Sequence, residues 1–186
     1  MKKTFLNLSA TLTLLAPAQN LQLHFDLGKP QGGSPRNFLV GTVEHYQPDT
    51  LGYTFLFADI EFASADKPAG ASLAYFEVAR TLYMPWFRNV KPLKNLMLHV
   101  EYNDGLVIYP DAVNDSLVLG ENLRSSWLAG PEYGWAIGDF SLNAMLLYKY
   151  TRGSAAPDAQ VTLIWFYPLF RNRISLCGYI DIWSQS

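Results

Sequence analysis

Ten side chains carry most of the chemistry this sequence offers: Glu44, Asp59, Glu61, Glu77, Glu101 and Asp181, with Phe57, Tyr75, His99 and Lys149 among them. Each stands at an alternate position of a segment whose other positions are apolar. Tyr53, Phe55, Phe57, Asp59 and Glu61 alternate with Thr54, Leu56, Ala58, Ile60 and Phe62; His99 and Glu101 alternate with Leu98, Val100 and Tyr102. A period of two puts such residues on one face of a strand. That face offers rings for stacking, about 1–3 kcal/mol per flat base in binding proteins. It also offers carboxylates, which accept hydrogen bonds from hydroxyl groups. Weak binding of a flat, hydroxylated, uncharged solute is the chemistry these groups suit. Phosphate-bearing solutes are disfavoured by the acidic excess, which Lys149 offsets only in part. Tyr179 and Trp183 add rings to the same face as Asp181. The plainer alternative is that the carboxylates are solvated, or paired across strands with Lys and Arg.

Catalytic and metal chemistry find less support. Asp59 and Glu61 share a strand face and suit acid–base work, yet the chain has no Gly-x-Ser-x-Gly elbow. His24, His45 and His99 lack metal-ligand spacing. The single Cys177 excludes an intramolecular disulfide and Cys-rich zinc arrangements, and is expected to fill a small apolar site. Gly28, Gly32 and Gly33 lie in a turn-rich stretch with no strand–loop–helix context for phosphate. No catalytic residue, metal or cofactor is therefore expected. A lipid-acting barrel enzyme built from His99, a serine and a carboxylate stays open as one alternative.

The elements that carry these groups read as nine strands: 21–27, 38–46, 53–62, 72–83, 96–103, 126–135, 140–150, 160–167 and 174–183. Strands near ten residues suit a tilted bilayer crossing. Charged residues make up 16% of the 186-residue chain and aromatic residues 15%. The charge is well below the roughly 25% of an ordinary soluble domain. With 14 basic against 16 acidic residues and no basic cluster, nucleic acid is excluded as a partner. Connections alternate in length: 28–37 long, 48–51 short, 63–70 long, 84–93 intermediate, 105–125 about twenty residues, 136–138 short, 151–159 long and 168–173 shorter. Short turns at one end and long loops at the other, with Tyr and Trp near strand ends, are features of outer-membrane barrels. The fold expected is all-β, an antiparallel transmembrane barrel. Alternation does not tell which face meets water. A sandwich would bury the apolar set, so a soluble periplasmic ligand-binding barrel remains the rival.

The N-terminus supplies an address. Met1-Lys2-Lys3 is basic, Phe5–Leu15 is an apolar or hydroxylated run, and Ala16-Pro17-Ala18 has the small–x–small pattern of a cleavage site. The run is shorter than the roughly 20 residues a spanning helix needs. Residues 1–18 are thus expected to be a signal peptide cleaved after Ala18, and 19–186 the barrel domain. Cleavage removes two of the 14 basic residues, leaving 12 against 16 acidic and a net charge of about −4.

Seven ordered blocks carry a resemblance: LQLHFDLG at Leu21–Gly28, TVEHYQPD at Thr42–Asp49, LGYTFLFADIEF at Leu51–Phe62, SLAYFEVAR at Ser72–Arg80, HVEYNDG at His99–Gly105, SWLAGPEYGW at Ser126–Trp135 and MLLYKY at Met145–Tyr150. Together they resemble an uncharacterised outer-membrane family related to the nucleoside-specific channel-forming (Tsx-like) proteins. The resemblance implies a monomeric twelve-stranded barrel, placed in the bacterial outer membrane by the assembly machinery. Its narrow lumen would bind nucleosides weakly during passive diffusion. Glu44, Phe57, Asp59, Glu61, Tyr75, Glu77, His99, Glu101, Lys149 and Asp181 would line it. Lipid and a nucleoside-like solute are the implied partners. With nine strands and a last segment ending Ile182-Trp183-Ser184-Gln185-Ser186, about three C-terminal strands of that type are expected to be missing.

Overall fold

The computed structural model describes residues 9–16, 19–26, 38–62, 70–110, 117–170 and 174–184. Side chains are described for 20–25, 38–62, 70–107, 123–170 and 174–184. The protein is all-β. The strands are β1 (Ser9–Ala16), β2 (Gln19–Asp26), β3 (Phe38–Asp49), β4 (Gly52–Phe62), β5 (Ala71–Tyr83), β6 (Leu96–Pro110), β7 (Leu117–Ile137), β8 (Phe140–Thr151), β9 (Asp158–Leu169) and β10 (Ile174–Trp183). They form one sheet in chain order, β1 to β10. Antiparallel registers run from β1 to β3 and from β7 to β10, with pairs such as Leu21↔Val43, Trp127↔Tyr150 and Leu146↔Val161. The helical pieces among the described residues are two three-residue 3-10 turns, Pro85–Phe87 and Lys91–Leu93. Among the described residues no helix is long and apolar enough to cross a membrane, which does not bear on crossing by strands.

All nine expected strands are present, and β2 to β10 are those strands. The tenth, β1, is formed by part of the segment read as a leader, with Leu12 opposite Leu23 and Leu14 opposite Leu21. Cleavage after Ala18 would leave β2 as the first strand. Pro17 and Ala18 of the cleavage pattern, and Gly28, Gly32 and Gly33, lie outside the described residues. Two expectations need correction. The twenty-residue loop at 105–125 is largely strand, because Leu106-Val107-Ile108-Tyr109 extends β6 and Leu117-Val118-Leu119 opens β7, both apolar, β-favouring runs. Cys177 does not fill a small site; it is exposed on β10.

The chain divides into two compact units. The first holds Met1–Gln47, Phe55–Val78 and Asn103–Ser125, the second Pro48–Thr54, Ala79–Tyr102 and Ser126–Ser186. In the first, Gln22 and Thr42 are buried while Leu21, Leu23, Phe25, Val43, Leu56 and Ile60 are exposed. In the second, Thr81, His99, Glu132, Gln160 and Thr162 are buried while Leu98, Val100, Leu146, Tyr148 and Val161 are exposed. The polar alternates are enclosed and the apolar alternates lie open, the reverse of an ordinary soluble protein. One small apolar cluster, Leu128, Met145 and Leu147, packs on the enclosed face of β7 and β8.

At the end of the second unit, Asp49 shapes the β3–β4 turn. Its Oδ1 accepts from the Leu51 and Gly52 amides at 2.7 and 3.0 Å, an Asx turn. The Arg80 guanidinium grips both its oxygens at 2.7 and 2.9 Å, and the Tyr83 amide donates to the Leu51 carbonyl at 2.8 Å. This fixes the start of β4 against the end of β5, and therefore the height at which Tyr53 and Thr81 enter the enclosed face.

Candidate functional site

Four strands of the second unit send polar side chains to one carboxylate on a fifth. Glu132 on β7 is 0% exposed. Its Oε1 accepts from the Tyr53 hydroxyl at 2.6 Å and the Asn143 amide at 2.8 Å, and its Oε2 accepts from the Thr81 hydroxyl at 2.9 Å. His99, 3% exposed, brings Nδ1 to 2.9 Å from Thr81 Oγ1 and 3.4 Å from Glu132 Oε2. On its other side Nε2 lies 3.1 Å from Glu101 Oε2. A buried carboxylate is tolerated only when its lone pairs are occupied, and three donors plus the imidazole edge do that here.

The hydrogens can be followed through the chain of contacts. Thr81 has one hydroxyl hydrogen, donated to Glu132, so it accepts from His99 Nδ1. A proton lying between His99 Nε2 and Glu101 then completes the line. Thr81, His99 and Glu101 thus have the order of nucleophile, base and orienting acid, but Thr81 is fully enclosed and its hydrogen is committed to Glu132. The arrangement is that of a bridge between strands. Gly52 permits it: a Cβ there would lie 1.9 Å from the Thr81 carbonyl oxygen. Gly52→Ala is therefore expected to push β5 away from β4 and cost about 1–3 kcal/mol, as overpacking does. The measurement is the urea midpoint of the refolded protein in detergent micelles, where an unchanged midpoint would count against this packing.

The other sequence-derived residues fall into two further groups. In the first unit Glu44 accepts from Gln22 at 2.7 Å and Asn20 at 3.2 Å, and Asp59 accepts from the Thr42 hydroxyl. Tyr75 donates to Glu77 at 2.6 Å and meets Phe57 edge-on, ring centres 6.4 Å apart. Glu61 lies half-buried one alternate position beyond Asp59. Asn103, 8% exposed, has an enclosed Oδ1 with no donor among the described residues. In the second unit Lys149 donates to Gln160 at 3.2 Å and stands 5.2 Å from the Trp183 ring centre. Asp181 accepts from Thr162 at 2.5 Å and from Gln160 at 3.4 Å. The expected offset of carboxylates by Lys149 is not a contact ion pair: among the described residues it touches an amide and a ring. Tyr179 and Trp183 share a face with Asp181 but are exposed. Among the described residues no group of His, Cys, Asp and Glu is arranged to hold a metal ion.

A family model described as Domain of unknown function (DUF5020) matches residues 18–186. The chain belongs to this family. No curated protein and no solved structure matches it. The DUF5020 match starts at Ala18 and includes all ten sequence-derived residues as well as the three that sequence reasoning did not select, Thr81, Glu132 and Asn143. Asn143 was legible as a polar alternate of β8, and Thr81 as an alternate of β5 in phase with Glu77 and Tyr75.

Proposed function

We infer that this DUF5020 chain is a membrane β-barrel of the outer membrane that lets small polar solutes of nucleoside type diffuse along its polar face. The observation that carries the reading is the inversion of burial: enclosed Gln, Thr, His and Glu beside exposed Leu, Val, Ile and Phe on the same strands. Exposed apolar strand faces of this extent suit hydrocarbon, and a polar interior suits water and solute. Two bands of rings add support. On β7 Trp127 and Trp135 are exposed on one face, eight residues apart, or about 26 Å along the strand at roughly 3.3 Å per residue. Tilted by about 40°, that spans roughly 20 Å, close to the height of an apolar band between aromatic girdles. Tyr102 meets Trp127 at a tilt, ring centres 4.5 Å apart, and Trp127 pairs with Tyr150, while Tyr133 meets Trp135 at 4.6 Å.

For the solute, the first unit offers what a nucleoside needs: the Phe57–Tyr75 ring pair and the Asp59 and Glu77 carboxylates. The Glu132 cluster, fully hydrogen-bonded, holds strands together. The test is uptake of labelled uridine into liposomes carrying the full chain. Entry faster than into empty liposomes, and faster than entry of uridine monophosphate, is expected. Tyr75→Ala should raise the half-saturating concentration about fivefold or more, the lower end of a lost ring stack. Equal rates with and without protein would remove the channel reading.

A further inference from the structure

The connection from β5 to β6, residues 84–95, reads MPWFRNVKPLKN: three cations, no acid, and an exposed tryptophan in a chain that is acidic overall. It is not a slack loop. The Phe87 and Arg88 amides donate to the Met84 and Pro85 carbonyls at 3.1 and 3.2 Å, and those of Val90 and Leu93 to Phe87 and Val90 at 2.9 and 2.8 Å. Asn95 then ties the segment to β7, its Nδ2 donating to the Gly134 carbonyl at 2.8 Å. Arg88, Lys91 and Lys94 are exposed, and among the described residues none has an ion pair or a side-chain hydrogen bond. Trp86 is 77% exposed. Beside the connection lies a cavity of about 420 Å³ whose wall carries Arg88, Lys94 and Asn95 together with Tyr83, Met84 and Trp135.

We propose that this cavity binds the phosphoryl headgroup of an anionic glycerophospholipid, with Arg88 and Lys94 on the phosphate, Lys91 reinforcing the field, and Trp86 and Trp135 set at the lipid–water boundary. The site rests on the membrane reading above and adds a specific partner to it. Three unneutralised cations in a fixed turn call for an anion. A free phosphate would engage the cations and leave Met84, Leu96 and Trp135 against water. A phospholipid presents phosphate and acyl chain together and covers both parts of the wall. Trp135 belongs to one of the two ring bands, so the cavity stands where headgroups would be. Tryptophan and the long stems of Arg and Lys are the side chains that suit that depth.

The test uses the full chain in phosphatidylcholine nanodiscs doped with brominated lipid, with quenching of tryptophan fluorescence as the readout. Brominated phosphatidylglycerol is expected to quench at about 25-fold lower mole fraction than brominated phosphatidylcholine, roughly fivefold for each of the two cations on the phosphate. Each cation beside an anionic surface is worth roughly fivefold, so the triple variant Arg88→Gln, Lys91→Gln, Lys94→Gln should make the two lipids equal. Arg88→Lys should keep the preference, which separates loss of charge from loss of fold. Equal quenching by both lipids in the inserted parent protein would overturn this site and leave the membrane reading intact. Full competition by millimolar inorganic phosphate would overturn the lipid assignment in favour of a soluble anion. A chain that never enters nanodiscs removes the membrane reading and this site with it.

Discussion

Replacing Glu132 with Ala is expected to destabilise the protein by about 3–5 kcal/mol, the cost of breaking a buried charged network from one side. The carboxylate is the shared acceptor of Tyr53, Thr81 and Asn143, and the Oε2 edge faces His99. Removing it strands donors from three other strands beside the enclosed Thr81 and His99, and each orphaned group costs about 1–3 kcal/mol. Glu132→Gln keeps one acceptor oxygen but turns an amide toward a donor, so it should lose about half as much. A double-mutant cycle with Tyr53→Phe should return a coupling of about 0.5–3 kcal/mol, because the two share a 2.6 Å bond. The measurement is reversible urea unfolding in micelles. If Glu132→Ala left stability within about 0.5 kcal/mol of the parent, as an ordinary surface substitution does, the cluster would not be a structural hub and its atoms would be free for another role.

The strands were legible because alternation is a local property of the backbone: a residue's face follows from the parity of its position. What parity cannot supply is which face is enclosed. Leu98 and His99 alternate identically whether the sheet closes over the leucine or over the histidine; only the burial of His99 with Thr81 and Glu132 decides it. Two misreadings share one cause, the double meaning of glycine. Asp104-Gly105 looks like a turn, so β6 was expected to stop near Asn103. Gly105 instead stands within β6 where a Cβ would lie 2.7 Å from the Ala74 carbonyl oxygen. Its missing side chain serves close approach between backbones. Gly130-Pro131 carries the same turn-like signal, which hid the parity of Glu132 inside a continuous β7. The candidate site was therefore half visible. Acids on the other strands could be found, while the central one, beside Gly130-Pro131, was not selected although 126–135 reads as a strand.

The second large effect is expected at a position with no notable contacts. Leu146 on β8 is 58% exposed. Along β8 it lies four residues from Leu142, which pairs with Trp135, and four from Tyr150, which pairs with Trp127. It thus stands midway between the two ring bands. If the exposed face meets hydrocarbon, Leu146→Arg places a charge at the bilayer midplane and should cost about 2–4 kcal/mol. Tyr150→Arg, at the band itself, should cost about 0–1 kcal/mol. If the same face meets water, both replacements should stay within about 0.5 kcal/mol. Size and packing do not mimic this pattern, since both sites are open and an arginine can extend outward from either. The depth dependence along one strand, measured by urea titration in lipid vesicles, is the signature of a bilayer. A flat profile would leave the exposed leucines, valines and phenylalanines in need of another cover, and the inverted burial of the two units would have to be explained by a protein partner.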